Sequence, residues 1–433
     1  MHERTTPHYS LVCPVCDCRV VDDGRILDCP NSHPAGLLKT DYLEKTFEPS
    51  DEYSGIYRYH KWLPISRTFP DTSRPIVYRS DRLASLLGLR ELWIAFNGYW
   101  PQMGATLDTA TFKEFEAYTV LSRLQHNKER LVVTSAGNTA AAFATLCSRH
   151  QIPVLIIVPA AALKNIKVHE PLHPCVKVIA IEAADYYDAI SLGDAVSDLP
   201  GFHSEGGTRN VGRRDGLGTV LLSAVESIGG LPDYYFQAIG SGAGAIATHE
   251  AASRIRQASG STERLPRLML AQNSPFTPVL RAWRSGRRTT VPSSEDQDRL
   301  EISQVCAPEL TNRRPPYSLR GGLHDALIES SGDVFAISNS SAQDATRAFY
   351  EVEGIDIEPA SGVAVASLRS AVMSGKVDRH ARVLLNITGG GRAQMARKFD
   401  LEQVTPDLIV QRHELQPSES LARVLGDISE LLN

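Results

Sequence analysis

Long apolar runs are missing from this chain of 433 residues. The longest candidate, IPVLIIVPAAAL (Ile152 to Leu163), is too short to cross a bilayer and contains two prolines, so no membrane-spanning helix is expected. The opening MHERTTPHYSLV has no apolar core of the signal-peptide kind, and a cytoplasmic location is the expectation. A strong charge imbalance is absent as well: the formal net charge of −5 gives no electrostatic reason to expect nucleic acid or an anionic membrane as the main partner. Composition is that of a soluble globular protein, with neither internal repeats nor low-complexity tracts. These absences point to an enzyme acting on small molecules, and they allow a homo-oligomer.

Cysteine is unevenly spread. Of the seven, four crowd into Cys13, Cys16, Cys18 and Cys29. In a cytoplasmic chain such crowding reads as metal binding and not as disulfides. CPVCDC followed by CPNSH offers Cys13, Cys16, Cys29 and His33 as ligands on two short turns, a set suited to tetrahedral zinc. Ser32 stands where a four-cysteine ribbon would carry its last thiolate, so a degenerate knuckle that packs without metal remains the competing reading. Cys147, Cys175 and Cys306 sit in apolar or loop contexts and read as unreactive.

After a polar, aromatic connector (Phe47 to Pro64), expected to be an arm and not a core segment, the pattern turns to alternating apolar strands and amphipathic helices. ELWIAF, RLVVTS, VLIIVP and VKVIAIE alternate with helical stretches, and YYFQAIG, RLMLAQ, DVFAIS and ARVLLNIT form a second series. The fold class is α/β, with parallel sheets in two lobes. The expected division is a zinc-ribbon-like knuckle over 1–46, an arm and the first part of a large domain over 47–120, a small α/β domain over 121–205 and the remainder of the large domain over 206–433. Arg281 to Arg320 lacks a sustained period and reads as a long loop, a lid or an excursion onto a partner subunit. Ser420 to Leu432 reads as a helix.

Four segments carry the chemistry. Lys113 lies in TFKEFEA at the head of a helical stretch, and a lysine amine condenses reversibly with an aldehyde cofactor. The loop GSGAG (Gly240, Ser241, Gly242, Ala243, Gly244) follows a strand and opens a helix, so its amides can hold a phosphate. SAGNTA (Ser135 to Ala140) opens another helix. Ser135, Ala136, Gly137 and Thr139 suit a substrate carboxylate there, and Asn138 suits a ring contact. Thr388, in NITGGG, ends a strand before three glycines and is placed to face a pyridine nitrogen. A hydroxyl there cannot keep that nitrogen protonated, which favours loss of a leaving group from Cβ over transamination. Taken singly, a lysine before a helix is usually a surface residue and a glycine run after a strand is common. Together, in this order, the segments make a pyridoxal 5'-phosphate site. EGGTRNVGRRDGLGT (Glu205 to Thr219) reads as a glycine-rich loop whose Asn210, Arg213 and Arg214 can grip a phosphate or sulfonate, the alternative being a solvated basic face. His203, His249 and His324 have no catalytic spacing.

These segments resemble the fold-type II pyridoxal-phosphate enzymes, and the knuckle is similar to that of threonine synthases. FNGYWPQMGA (Phe96 to Ala105), FKEFEA (Phe112 to Ala117), SAGNTAAAFA (Ser135 to Ala144), EGGTRNVGRRDG (Glu205 to Gly216), YYFQAIGSGAGAIA (Tyr234 to Ala247) and QNSPFTP (Gln272 to Pro278) more closely resemble the cysteate synthase family. The resemblance implies a two-lobed, tryptophan-synthase-β-like fold and β-replacement of phosphate in O-phospho-L-serine by sulfite, giving L-cysteate. It also implies Lys113 as the Schiff-base lysine, Asn138 and Thr388 as ring contacts and Gly240 to Gly244 as the phosphate cup. The chain departs from the family at Thr109, Ala110 and Thr111, where Thr-Cys-Ser is usual, and at Ala243, where a threonine is usual. Three alternatives stay open: a threonine synthase acting on O-phosphohomoserine, a β-replacement with another nucleophile, and a zinc-knuckle binding module on an inactive scaffold. A nicotinamide dehydrogenase is disfavoured, because GSGAG is not GxGxxG and RLMLAQ ends without an acidic ribose ligand.

Overall fold

Apolar runs bounded by turn residues become the strands of two sheets in the structure, a computed structural model that describes residues 8–124, 129–135, 137–260, 262, 264–416 and 419–431. Two compact units result, Met1–Gln125 with Gly207–Met395 and His126–Gly206 with Ala396–Asn433. Among the described residues no helix is long and apolar enough to cross a membrane.

The larger unit is built on six strands in the order Asp333–Ile337, Arg267–Asn273, Tyr234–Ala238, Arg382–Ile387, Glu91–Phe96 and Ile76–Arg79. All neighbours are parallel except the last pair. YYFQA and RVLLNI are buried almost throughout, as a sheet covered on both faces requires. Phe96, Phe236, Met269, Leu385 and Phe349 anchor the core. Because Tyr234–Ala238 and Arg382–Ile387 run side by side in one direction, GSGAG and TGGG leave from the same edge of the sheet. The carboxyl ends of parallel strands are where α/β folds build their sites.

The smaller unit holds five parallel strands, Phe202–Ser204, Arg130–Thr134, Val154–Pro159, Val176–Glu182 and Leu408–Gln411 in that order. Its last strand and the helix Glu419–Leu431, with Val424 and Ile428 buried, come from the C-terminal stretch. The division that gave all of 206–433 to the large domain is therefore corrected from Ala396 onward. LIVQ pairs with a strand far back in the chain, a match that no local pattern records.

Two further expectations fail in the larger unit. The connector is not a loose arm, since Gly55–Trp62 winds as 3-10 turns with Ile56, Tyr57, Tyr59, His60 and Trp62 buried. The hydroxyls of Tyr57 and Ser122 lie 2.5 Å apart, and Tyr59 donates to Glu226 at 2.6 Å. Tyrosines bury their rings once the hydroxyl is partnered, which is why a polar-looking segment lies inside. Nor is Arg281 to Arg320 a continuous loop, because it finishes the helix Pro278–Arg284 and contains the helix Glu295–Ser303. Ser294 caps the latter by accepting from Gln297 N at 3.2 Å, and Glu295, Asp296 and Asp298 favour the positive end of its dipole.

Candidate active site

Lys113 is the first residue of the helix Lys113–Arg123. The chain just before it is stitched to the end of the Arg382–Ile387 strand: Phe112 N donates to Thr388 O at 3.0 Å, Gly390 N donates to Ala110 O at 3.0 Å, and Thr111 bridges to Gly389. The larger unit thereby brings Lys113 and Thr388 together. Thr388 is buried, with its hydroxyl 3.5 Å from that of Ser361 on the helix Pro359–Met373. Ser361 in turn exchanges hydrogen bonds with Gly389, donating to its carbonyl at 3.0 Å and accepting from its amide at 3.2 Å.

The glycine cup is held from below by a buried polar network. Asn386 donates to Gln237 Oε1 at 3.1 Å and to the Tyr235 hydroxyl at 2.7 Å, and Tyr235 donates to Gln237 at 2.6 Å. A Cβ at Gly244 would come within 2.7 Å of the Gln237 amide and would have to displace that side chain from this network. Gly242 adopts φ +82° and hands the chain to the helix Ala243–Ser259. That helix start has no side-chain cap. First-turn amides have no intrahelical acceptor, so this end presents donors suited to a phosphate.

The arginine segment is not a loop. Val211–Ile228 is a helix of 18 residues, capped by Asn210, whose Oδ1 accepts from Gly212 N at 2.9 Å. Its glycines serve packing: a Cβ at Gly216 would lie 2.3 Å from Phe115 O, on the Lys113 helix. The assignment of Arg214 to an anion is corrected. Its guanidinium is fully buried, pairs with Glu250 at 3.0 Å and donates to the carbonyls of Thr208, Arg209 and Leu38, so it braces the interior. Asn210 is likewise engaged, accepting also from Arg123 at 2.8 Å. Arg213 is linked to the lysine through Glu116. Glu116 is fully buried, 3.0 Å from Lys113 Nζ by one oxygen and 3.1 Å from Arg213 Nη1 by the other. Sequence reading missed Glu116, although its place three residues after Lys113, on the same helix face, was the available signal.

Two other carboxyls near these elements are forced toward the protonated form. Burial, and then Asp108, push Glu114 up to about 8, and its Oε1 accepts from both the amide and the hydroxyl of Thr109. Burial, and then Glu358, push Glu309 up to about 7. Glu358 pairs with Arg392 at 2.5 Å.

In the smaller unit, Ser135 and Gly137 lead into the helix Asn138–His150, and Thr139 is buried in its first turn. Ser135 Oγ accepts from Gly137 N at 3.1 Å, and Gly137 adopts φ +152°, a backbone that favours glycine. Asn138 is the half-buried first residue of the helix. Ala136 lies outside the described residues.

The knuckle of the larger unit is a three-stranded sheet, Arg19–Val20, Tyr9–Val12 and Lys39–Tyr42. Its ligand atoms on Cys13, Cys16, Cys29 and His33 all lie within 4.8 Å of one another. Cys16 and Cys29 sulfurs are 3.7 Å apart, and the Cys13 sulfur is 3.4 Å from His33 Nε2. The knuckle is tied to the site helices: Asp22 takes two bonds of 2.7 Å from Arg123, at the end of the Lys113 helix, and Asp28 takes one of 2.7 Å from Arg209.

A family model described as pyridoxal-phosphate dependent enzyme matches residues 75–389. A protein of Methanosphaerula palustris named cysteate synthase is 44% identical over 423 residues, covering 96% of this chain and 94% of its own. One of the same name from Methanospirillum hungatei is 40% identical over 405 residues, covering 93% and 95%. This chain belongs to the cysteate synthase family of pyridoxal-phosphate-dependent enzymes. The fold is shared with maize serine racemase (TM-score 0.57, 18% identity, 75% of this chain and 93% of that one) and with a fungal L-serine ammonia-lyase from Rhizomucor miehei (TM-score 0.56, 13% identity, 74% and 96%). This is the fold-type II architecture.

As a member of this family the chain uses pyridoxal phosphate, and the residues of the larger unit fit it. Beside Lys113, the Thr111 hydroxyl is buried with no hydrogen-bond partner among the described residues, a donor left over by the protein's own bonding. Lys113 would hold the aldehyde carbon, Gly240 to Gly244 the phosphate and Thr388 the ring nitrogen. The Cys13, Cys16, Cys29 and His33 cluster also fits a zinc ion. Ligands 2.0–2.3 Å from a tetrahedral zinc stand roughly 3.4–3.8 Å apart, the range that Cys16 to Cys29 and Cys13 to His33 fall in.

Proposed function

We propose that the enzyme replaces the phosphate of O-phospho-L-serine with sulfite, giving L-cysteate and inorganic phosphate. The C–O bond at Cβ breaks with its electron pair leaving on phosphate, a C–S bond forms from the sulfite lone pair, and the Cα proton is removed and later returned. Pyridoxal phosphate, when bound, supplies the electron sink that makes that proton removable. Lys113 Nζ takes the proton and gives it back. Thr388, as a hydroxyl, lacks the charge to hold a ring nitrogen protonated, which favours expulsion from Cβ. Arg213 is assigned from sequence to the departing phosphate and the arriving sulfite, both tetrahedral or pyramidal oxyanions; its Nη1 is paired with Glu116, so the rest of the guanidinium fork would meet them. Ser135, Ala136, Gly137 and Thr139 are assigned from sequence to the substrate carboxylate, and Asn138 to the ring contact.

What supports this reading most is identity of 40% and 44%, over nearly the full length of both chains, to two relatives named cysteate synthase. Product analysis by mass spectrometry after incubation with phosphoserine and sulfite should find cysteate and phosphate. Threonine from O-phosphohomoserine, with no cysteate, would replace the proposal with a threonine synthase. A sulfur-free or thioether product from a wider panel of nucleophiles would keep the β-replacement and discard sulfite.

A further inference from the structure

We propose that Glu116 is the positioning residue for the Lys113 amine, held in place by Arg213. The proposal rests on the reading of Lys113 as the cofactor lysine. A lysine side chain has four rotatable bonds, and leaving it in a single conformation costs rotamer entropy that some partner must offset. Lys113 is about one-fifth exposed and its Nζ lies 3.0 Å from Glu116 Oε2. Glu116 has no exposure of its own, and a carboxylate so buried needs compensation. Arg213 supplies it from a different helix at 3.1 Å, with a side chain only 6% exposed. Gly216, beside Phe115 O, lets the two helices approach closely enough for that contact. One carboxylate thus carries a lysine on one oxygen and an arginine on the other. The neighbouring acid cannot substitute for it, because Glu114 is turned to the amide and hydroxyl of Thr109. The ring of Phe112, centred 5.3 Å from Nζ, limits the amine from another side.

The competing explanation is a buried ion pair that ties two helices and meets Lys113 by coincidence. The two differ in the cofactor-free protein, before any turnover. Full-length enzyme stripped of pyridoxal phosphate would be mixed with fresh cofactor, and the appearance of visible absorbance followed in wild type, Glu116→Gln, Glu116→Asp and Lys113→Ala. Positioning by Glu116 requires that Glu116→Gln recombine about ten- to a hundredfold more slowly, since a small displacement of a reacting group costs that much. Glu116→Asp, which keeps the charge on a shorter stem, should recover part of the rate. As a second measurement, acylation of Lys113 in the cofactor-free protein, located by peptide mass spectrometry, should change in Glu116→Gln while other lysines react as before. Wild-type recombination and acylation in Glu116→Gln overturn the proposal, and so does a slow Glu116→Gln whose thermal midpoint has fallen as far as that of Arg213→Ala with acylation of every lysine altered. Normal absorbance in Lys113→Ala would instead remove the lysine assignment itself.

Discussion

The amide of Phe112 donates to the carbonyl of Thr388 at 3.0 Å, so the residue before the lysine is bonded to the residue assigned to the ring nitrogen. Side-chain substitutions at Lys113 and Thr388 should therefore alter chemistry while leaving this backbone contact intact. Lys113→Ala should lose the visible cofactor absorbance and all turnover, as read by spectrophotometry and phosphate release.

Thr388→Asp is expected to retain cofactor and change what happens to it. A carboxylate facing the ring nitrogen would stabilise negative charge at Cα, so β-replacement should fall and exchange of the Cα proton with solvent should rise. Proton exchange into D2O, followed by NMR, checks this. Unchanged replacement with no extra exchange would place Thr388 away from the nitrogen.

Arg213 and Arg214 should part company. Arg214→Met leaves the buried Glu250 without its cation, and breaking such a pair costs about 3–5 kcal/mol, so its main effect should be a lowered Tm. Arg213→Lys keeps a charge near Glu116 but loses the guanidinium fork, and should cost about ten- to a hundredfold in kcat/KM for phosphoserine with a smaller change in Tm.

Legibility differed between these neighbours for a physical reason. A run of arginines among glycines looks the same in a loop as in a helix packed tightly on another, and only the nearness of Phe115 O to Gly216 decides for the helix. The local structure of the four segments was readable because each is written within a few residues: Lys113 heads a helix, SAGNTA and GSGAG open helices, and Thr388 follows a strand. The strand Leu408–Gln411 was not, since its pairing partner is distant in sequence, and for Glu116 the i,i+3 spacing from Lys113 was legible while its pairing with Arg213 was not. The buried tyrosines of the connector escaped notice because the hydroxyls that license their burial bond to Ser122 and Glu226.

Glu309 should make stability depend on pH. Its carboxyl is pushed up to about 7 by burial and by Glu358, against roughly 4.3 when unfolded, so the folded state holds a proton that the unfolded state has released between these values. Stability from this group is complete below the unfolded value and is lost as pH rises through about 7. Glu309→Gln should remove that slope, raising Tm relative to wild type by a few degrees at pH 8 and by little at pH 5. Calorimetry across this range measures the difference.

Zinc content should follow the cluster of Cys13, Cys16, Cys29 and His33. Cys16→Ser, Cys29→Ser and His33→Ala should each lose metal, measured by inductively coupled plasma spectrometry, because their ligand atoms converge with that of Cys13. A chelator should lower the Tm of the wild type accordingly.

The bonds from Asp22 to Arg123 and from Asp28 to Arg209 impose an order on assembly. The knuckle is translated before the residues that lock it, and its partners Arg209, Arg214, Asp215, Arg254 and Arg320 follow only after the strands of 130–204 have been made. During synthesis the knuckle can form early but must wait to dock. Transplanting it as an independent module would expose Asp22 and leave Arg123 buried without its counter-ion, so the N-terminal segment is part of one folding unit with the helices it was translated ahead of.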